Sequence, residues 1–149
     1  MLHFEKSCLV DAPVETVWQF HERPDILNLL TPPWQPVQII RRQGGLEVGA
    51  LSEFRLWIGP IPVQWISVHT SCDINQQFTD EQEVGPMSSW KHRHQFEAQG
   101  SQMRLTDTID FEIPGESLAE MLLGEWVKSR LNDMFAYRHQ VTQERCIYT

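Results

Sequence analysis

Between Val37 and Gly115 the chain is interrupted at short, near-regular intervals by residues that turn a backbone: Gly44-Gly45, Gly59-Pro60-Ile61-Pro62, Asn75, Gly85-Pro86, Gly100 and Pro114-Gly115. The segments between them (37–42, 50–58, 63–74, 78–84, 88–98 and 102–113) read as strands. Connections this short join neighbouring strands as hairpins, so the pattern predicts an antiparallel meander. Such a sheet has one face for water and one that must be covered, which limits what the rest of the chain can do.

The cover follows directly. After Pro114 the apolar period changes: Leu123, Val127, Leu131 and Phe135 recur every fourth residue with Met134 beside them, which predicts a long amphipathic helix. Ser117-Leu118-Ala119-Glu120 reads as its capping box. Ahead of the meander, Leu2 to Val10 reads as a strand. Asp11-Ala12-Pro13 opens a helix whose inner face is Val14, Val17 and Trp18, and Arg23-Pro24 ends it. Asp25 starts a second short helix through Ile26, Leu27, Leu29 and Leu30, stopped by Thr31-Pro32-Pro33. No linker, repeat or low-complexity tract divides residues 1–149, so one domain is expected. The class is α+β, with a curved antiparallel sheet wrapped around a long C-terminal helix and two short helices after the first strand.

Charge narrows the partners. A net charge of -8 with no basic cluster disfavours nucleic acid and anionic membrane surfaces, both of which are held by Lys and Arg. The N-terminus lacks a signal peptide's apolar core and no run reaches transmembrane length, so a cytoplasmic protein without integral membrane association is expected. Cys8, Cys72 and Cys146 are odd in number and lack CxxC spacing, which fits reduced thiols.

The segment Trp90-Lys91-His92-Arg93-His94-Gln95-Phe96 carries the chemistry. Strand alternation puts Trp90, His92, His94 and Phe96 on one face and the long polar residues on the other. An apolar face holding two titratable rings has the character of a pocket wall with polar anchors. The same parity groups Phe78, Asp80 and Gln82 on the preceding strand, and Met103, Leu105, Asp107, Ile109 and Phe111 on the following one. Phe54, Leu56 and Ile58 form the apolar set of an earlier strand. Trp65, Ser67 and His69 share a face whose direction the sequence leaves open.

Asp80 and Asp107 therefore flank the histidine pair on neighbouring strands. Three roles remain open for this cluster: a self-satisfied polar belt that fixes register, a set of ligand anchors, or a general acid–base site. His-x-His places two rings about 6.6 Å apart at the backbone, close enough to converge on a metal ion with Asp80, Asp107 or His69. No HExxH or cysteine motif supports a metal, and no metal or cofactor is expected. No GxSxG or phosphate loop occurs either. Trp126 fits the cavity mouth or the helix flank. The apolar hairpin from Leu56 to Pro62 fits a stiff packed turn better than a lid.

The order of elements resembles the helix-grip fold of the START-like (SRPBCC) superfamily, which includes polyketide cyclase-like, Bet v 1-like and lipid-transfer proteins. Asp11-Ala12-Pro13-Val14-Glu15-Thr16-Val17-Trp18 is similar to its opening strand-to-helix signature. Phe78-x-Asp80-x-Gln82-x-x-Gly85-Pro86-Met87-x-x-Trp90-x-His92-x-His94-x-Phe96, with Leu105-Thr106-Asp107 and Glu112-Ile113-Pro114, resembles a bacterial ligand-binding subgroup. The resemblance implies a cavity between sheet and C-terminal helix for a lipophilic small molecule. Joined to the parity argument, it assigns a lining of Phe54, Leu56, Trp65, Phe78, Gln82, Trp90, His92, His94, Phe96, Leu105 and Asp107 from the sheet. The helix adds Leu123, Val127, Leu131 and Phe135. Non-catalytic binding of a hydrophobic or amphipathic molecule is the leading expectation. The alternative is a cyclase or dehydratase with His92 or His94 as acid–base group and Asp80 or Asp107 as orienter.

Overall fold

A computed structural model describes residues 1–147. The elements are β1 (Leu2–Val10), α1 (Val14–His21), α2 (Ile26–Leu30), β2 (Val37–Gln43), β3 (Leu51–Ile58), β4 (Ile61–Asp73), β5 (Gln77–Val84), β6 (Ser89–Gln99), β7 (Gln102–Glu112) and α3 (Glu116–Arg145). All strands lie in one sheet of order β1-β7-β6-β5-β4-β3-β2. The meander from β2 to β7 is as the turn residues predict, and β1 closes onto the last strand, Leu2 opposite Phe111 and Val10 opposite Met103. This is a seven-stranded antiparallel helix-grip fold.

Alternation does the sorting. Along β7, Met103, Leu105, Asp107, Ile109 and Phe111 are all buried, while the residues between them stay partly open. Irregularities at Ile39/Arg41 in β2 and at Ile66/Ser67 and His69/Ser71 in β4 bend the sheet. The concave face is covered in two parts. At one end α1 packs Val17, Trp18 and Phe20 onto Phe78, Phe96, Met103 and Leu105, with the Trp18 ring edge-on to Phe96 at 5.0 Å. At the other, Leu131 and Phe135 of α3 meet Phe4, Ile109, Phe111 and Ile113.

Both expected caps are corrected. The residue before α1 is Pro13, with no side-chain cap from Asp11; an extended backbone at Pro13 starts the helix unaided. The Ser117–Glu120 capping box does not form, because α3 begins two residues earlier, with Gly115 rather than Ser117 at the cap. Gly115 takes φ +100°, which an L side chain resists. Glu120 instead accepts from the Met1 ammonium at 3.1 Å. The first half of α3 packs Ala119, Gly124 and Val127 towards β1 and the second core cluster, while its outer face leaves Leu118, Met121, Leu122 and Trp126 exposed. The tip of the β3–β4 hairpin also protrudes, with Ile58 and Ile61 exposed, so the packed turn expected there is corrected as well.

Candidate functional site

The site is assembled by register. Asp80 of β5 lies opposite His92 of β6, and Asp107 of β7 lies opposite His94. Each strand contributes an inward position at the same level, so the four side chains converge on the concave face. The His92 and His94 rings stack with centroids 3.7 Å apart. Phe78 lies against the other side of His94, at 3.9 Å.

Asp107 is the hub. Its Oδ1 is 2.7 Å from His92 Nε2 and 3.1 Å from His94 Nδ1, and its Oδ2 is 2.6 Å from His139 Nε2. Asp80 Oδ2 pairs with His94 Nε2 at 2.9 Å, while Asp80 Oδ1 accepts from the Ser67 hydroxyl at 2.9 Å. Asp107 and the three histidines are buried. Burial alone would raise both carboxyl pKa values, but the facing histidines outweigh it and hold both acids below the usual range. Burial also opposes charge on the imidazoles. For His94, bracketed by both carboxylates, their attraction wins and its pKa rises; for His92, burial and the neighbouring His94 win and it falls.

Beside the cluster opens a cavity of about 240 Å³. Its wall is mainly apolar: Ile26, Leu27 and Leu30 from α2, Val37, Ile39, Phe54, Leu56 and Trp65 from the sheet, and Leu131, Met134 and Phe135 from α3. Asp80, His92, His94, Ser67 and His69 make a polar belt on the sheet side, and Arg42 and Arg138 add two cations. Ser67 and His69 therefore point inward with Trp65. His69 Nδ1 donates to the Leu46 carbonyl at 2.9 Å.

Of the predicted lining, Phe54, Leu56, Trp65, Phe78, Trp90, His92, His94, Leu131 and Phe135 meet at this cavity. The others do not line it. Phe96 and Leu105 share the concave face but lie under α1 in the core. Asp107 sits behind the histidines. Gln82 turns away and clamps the β5–β6 turn through the Met87 backbone, at 2.8 Å and 3.1 Å. Val127 packs against the second core cluster, and Leu123 is 47% exposed. Trp126 is on the outer flank, under Arg130. The cysteines are free thiols, and burial pushes Cys8 and Cys146 up to about 11, so they offer no ready nucleophile.

Sequence reasoning missed His21, Arg138 and His139. His139 continues the Leu131–Phe135 spacing by one more step of four, which is the signal that was available. Arg138 lies over the Phe135 ring at 5.1 Å, and its buried Nε has no hydrogen-bond partner among the described residues.

Residues 10–138 match the family model described as polyketide cyclase/dehydrase and lipid transport. The chain belongs to this family. Solved structures agree on the fold. The nucleoside-diphosphate sugar epimerase of Corynebacterium glutamicum is 27% identical with TM-score 0.74, over 95% of this chain but 28% of that one. The Zhui aromatase/cyclase of a Streptomyces species is 14% identical with TM-score 0.75, covering 97% of this chain and 92% of its own. Truncated norcoclaurine synthase from Thalictrum flavum is 11% identical with TM-score 0.75, covering 99% and 94%. No curated protein matches the chain. Among the described residues no helix is long and apolar enough to cross a membrane.

Proposed function

We propose that this family member binds a hydrophobic or amphipathic small molecule in the cavity between sheet and helices, as a carrier, sensor or sequestering protein. The observation that carries this reading is a largely apolar wall with a polar belt on one side only. The apolar residues would hold the body of the ligand, and Asp80, His92, His94 and Ser67 its polar group. A cavity of about 240 Å³ lies below the usual range for drug-sized ligands. The occupant is therefore compact, or only the buried end of a longer molecule.

Trp65 and Trp90 meet edge-on at 5.0 Å in the cavity wall and act as built-in reporters. Native mass spectrometry of protein purified from its own host should reveal a co-purifying lipophile, and its removal should change tryptophan emission. An empty protein that also refuses a fluorescent fatty-acid probe at a one-to-one ratio would refute the reading. Turnover of the ligand by a cyclase or dehydratase is the second reading, favoured by His92 and His94 meeting the cavity rather than hiding behind it. It fails if His92→Ala and His94→Ala leave turnover of an identified substrate intact.

A further inference from the structure

We propose that Asp80, His92 and His94 form a binding site for one divalent transition-metal ion on the cavity wall. Each residue offers one ligand atom, and these atoms lie within 4.8 Å of one another. Two histidine nitrogens and one carboxylate oxygen suit zinc, iron, cobalt or nickel, and they suit calcium or magnesium poorly because those ions take oxygen ligands.

Ring orientation favours the same conclusion. His92 directs Nε2 at Asp107, 2.7 Å away, so the neutral ring keeps its lone pair on Nδ1. That nitrogen faces Asp80 Oδ2 across 3.9 Å, too far for a hydrogen bond. Two metal–ligand bonds of about 2.1 Å each span such a gap. His94 repeats the pattern, with Nδ1 towards Asp107 at 3.1 Å and Nε2 towards Asp80 at 2.9 Å. His94 Nε2 and Asp80 Oδ2 thus face each other at the place where both would meet one ion. A ligand pair at the 4.8 Å limit would close by roughly 1.4 Å to reach the separation of about 3.4 Å that tetrahedral bonds of about 2.1 Å require, a shift within reach of side-chain rotation.

Asp107 supplies the outer support that metal-bound histidines use. It fixes the far nitrogen of both rings and is itself held by His139. A second buried carboxylate beside the site also makes a divalent charge welcome. Because the three ligands all line the cavity, the remaining coordination positions face it, where an oxygen of a bound molecule can enter. The inference goes beyond ligand binding: an apolar molecule can fill the cavity without the ion, so either reading can fail alone.

The test is cobalt(II) titration of chelator-stripped protein, followed by visible absorption. One equivalent should give ligand-field bands without sulfur charge-transfer absorption, and zinc should displace it. X-ray absorption of the zinc-loaded wild-type protein should count two imidazoles and no sulfur. His92→Ala, His94→Ala and Asp80→Asn should each weaken binding about 100-fold, and Asp107→Asn about 10–100-fold, since it touches no ion. His3→Ala, on an exposed pair with Asp110, should change nothing. The wild-type spectra decide the matter even if a variant does not fold. Absence of stoichiometric cobalt binding, sulfur in the coordination shell, or undiminished binding by folded His92→Ala would overturn the proposal.

Discussion

His21 gives the most quantitative test of how this interior treats charge. Its ring is buried between Phe20, Phe78 and Phe96, and Nδ1 donates to the Val17 carbonyl at 2.8 Å. Burial is the largest influence and pushes its pKa down to about 4, from 6.5. The bond to Val17 and the charge of Asp107 resist, while His94 and His139 add to the fall. An unfolded chain takes up this proton near pH 6.5; the folded one does not until about pH 4. Stability is therefore full above the unfolded pKa and declines as pH falls through that window. At 1.36 kcal/mol per unit the whole decline is about 3 kcal/mol, of which about 2 is lost by about pH 5. His21→Phe keeps the aromatic packing and removes the proton. Urea unfolding of both proteins across the window isolates the effect, since carboxylates titrate alike in each. The stability gap should move by about 2 kcal/mol in favour of the variant between about pH 7.5 and about pH 5. Parallel stability curves, or a His21 proton resonance titrating near its ordinary value, would refute the argument.

Other outcomes are as definite. Asp107→Ala removes the acceptor of three buried histidines and should cost about 3–5 kcal/mol in chemical denaturation. Phe78→Ala should cost about 3–5 kcal/mol by the same measurement, because its ring packs on Trp18, His94 and Phe96 together. Gly115→Ala should cost about 1–2 kcal/mol: φ is +100° and the new methyl would sit 2.9 Å from the Ala119 Cβ. Leu123→Ser should change stability by less than about 0.5 kcal/mol and leave ligand uptake unchanged, since the side chain is exposed and outside the cavity.

What the sequence discloses is set by the periods it contains. A period of two gives the face of a strand, and every inward residue of β7 and the His92/His94 face were legible on that ground. It does not give the position along the strand where the cover changes. Phe96 and Leu105 therefore share the face of His94 and Asp107 while lying under α1. The helix stripe fails for a related reason. With 3.6 residues per turn, a strict four-residue repeat drifts by about 40° at each step, so Leu123 lies about 120° round from Phe135. The buried residues of α3 follow the true period instead: Gly124, Leu131, Phe135, His139 and Thr142. Gln82 had the right parity, yet the turn after it captured its amide.

The third histidine was not legible as a partner, because 32 residues separate it from Asp107 and only the seating of α3 brings them together. That contact couples site to fold. Asp107 accepts from two rings on β6 and one on α3, so the same carboxylate fixes strand register and holds the second half of the helix down. A one-residue slip of β6 would turn both histidines to solvent and leave buried Asp107 with His139 alone and Asp80 with the Ser67 hydroxyl alone. The polar cluster thus penalises wrong registers that an all-apolar strand would tolerate. Among the described residues the first half of α3 has no such buried polar hub: the Met1–Glu120 pair, the fit of Leu2 against Gly124 and the packing of Ala119 and Val127 hold it, and its outer face is where apolar residues stay exposed. Loss of binding in an Asp107 variant is consequently evidence about the cavity only when its fold is shown intact. Asp80, which touches His94, Ser67 and the cavity but not α3, is the cleaner position at which to separate the two.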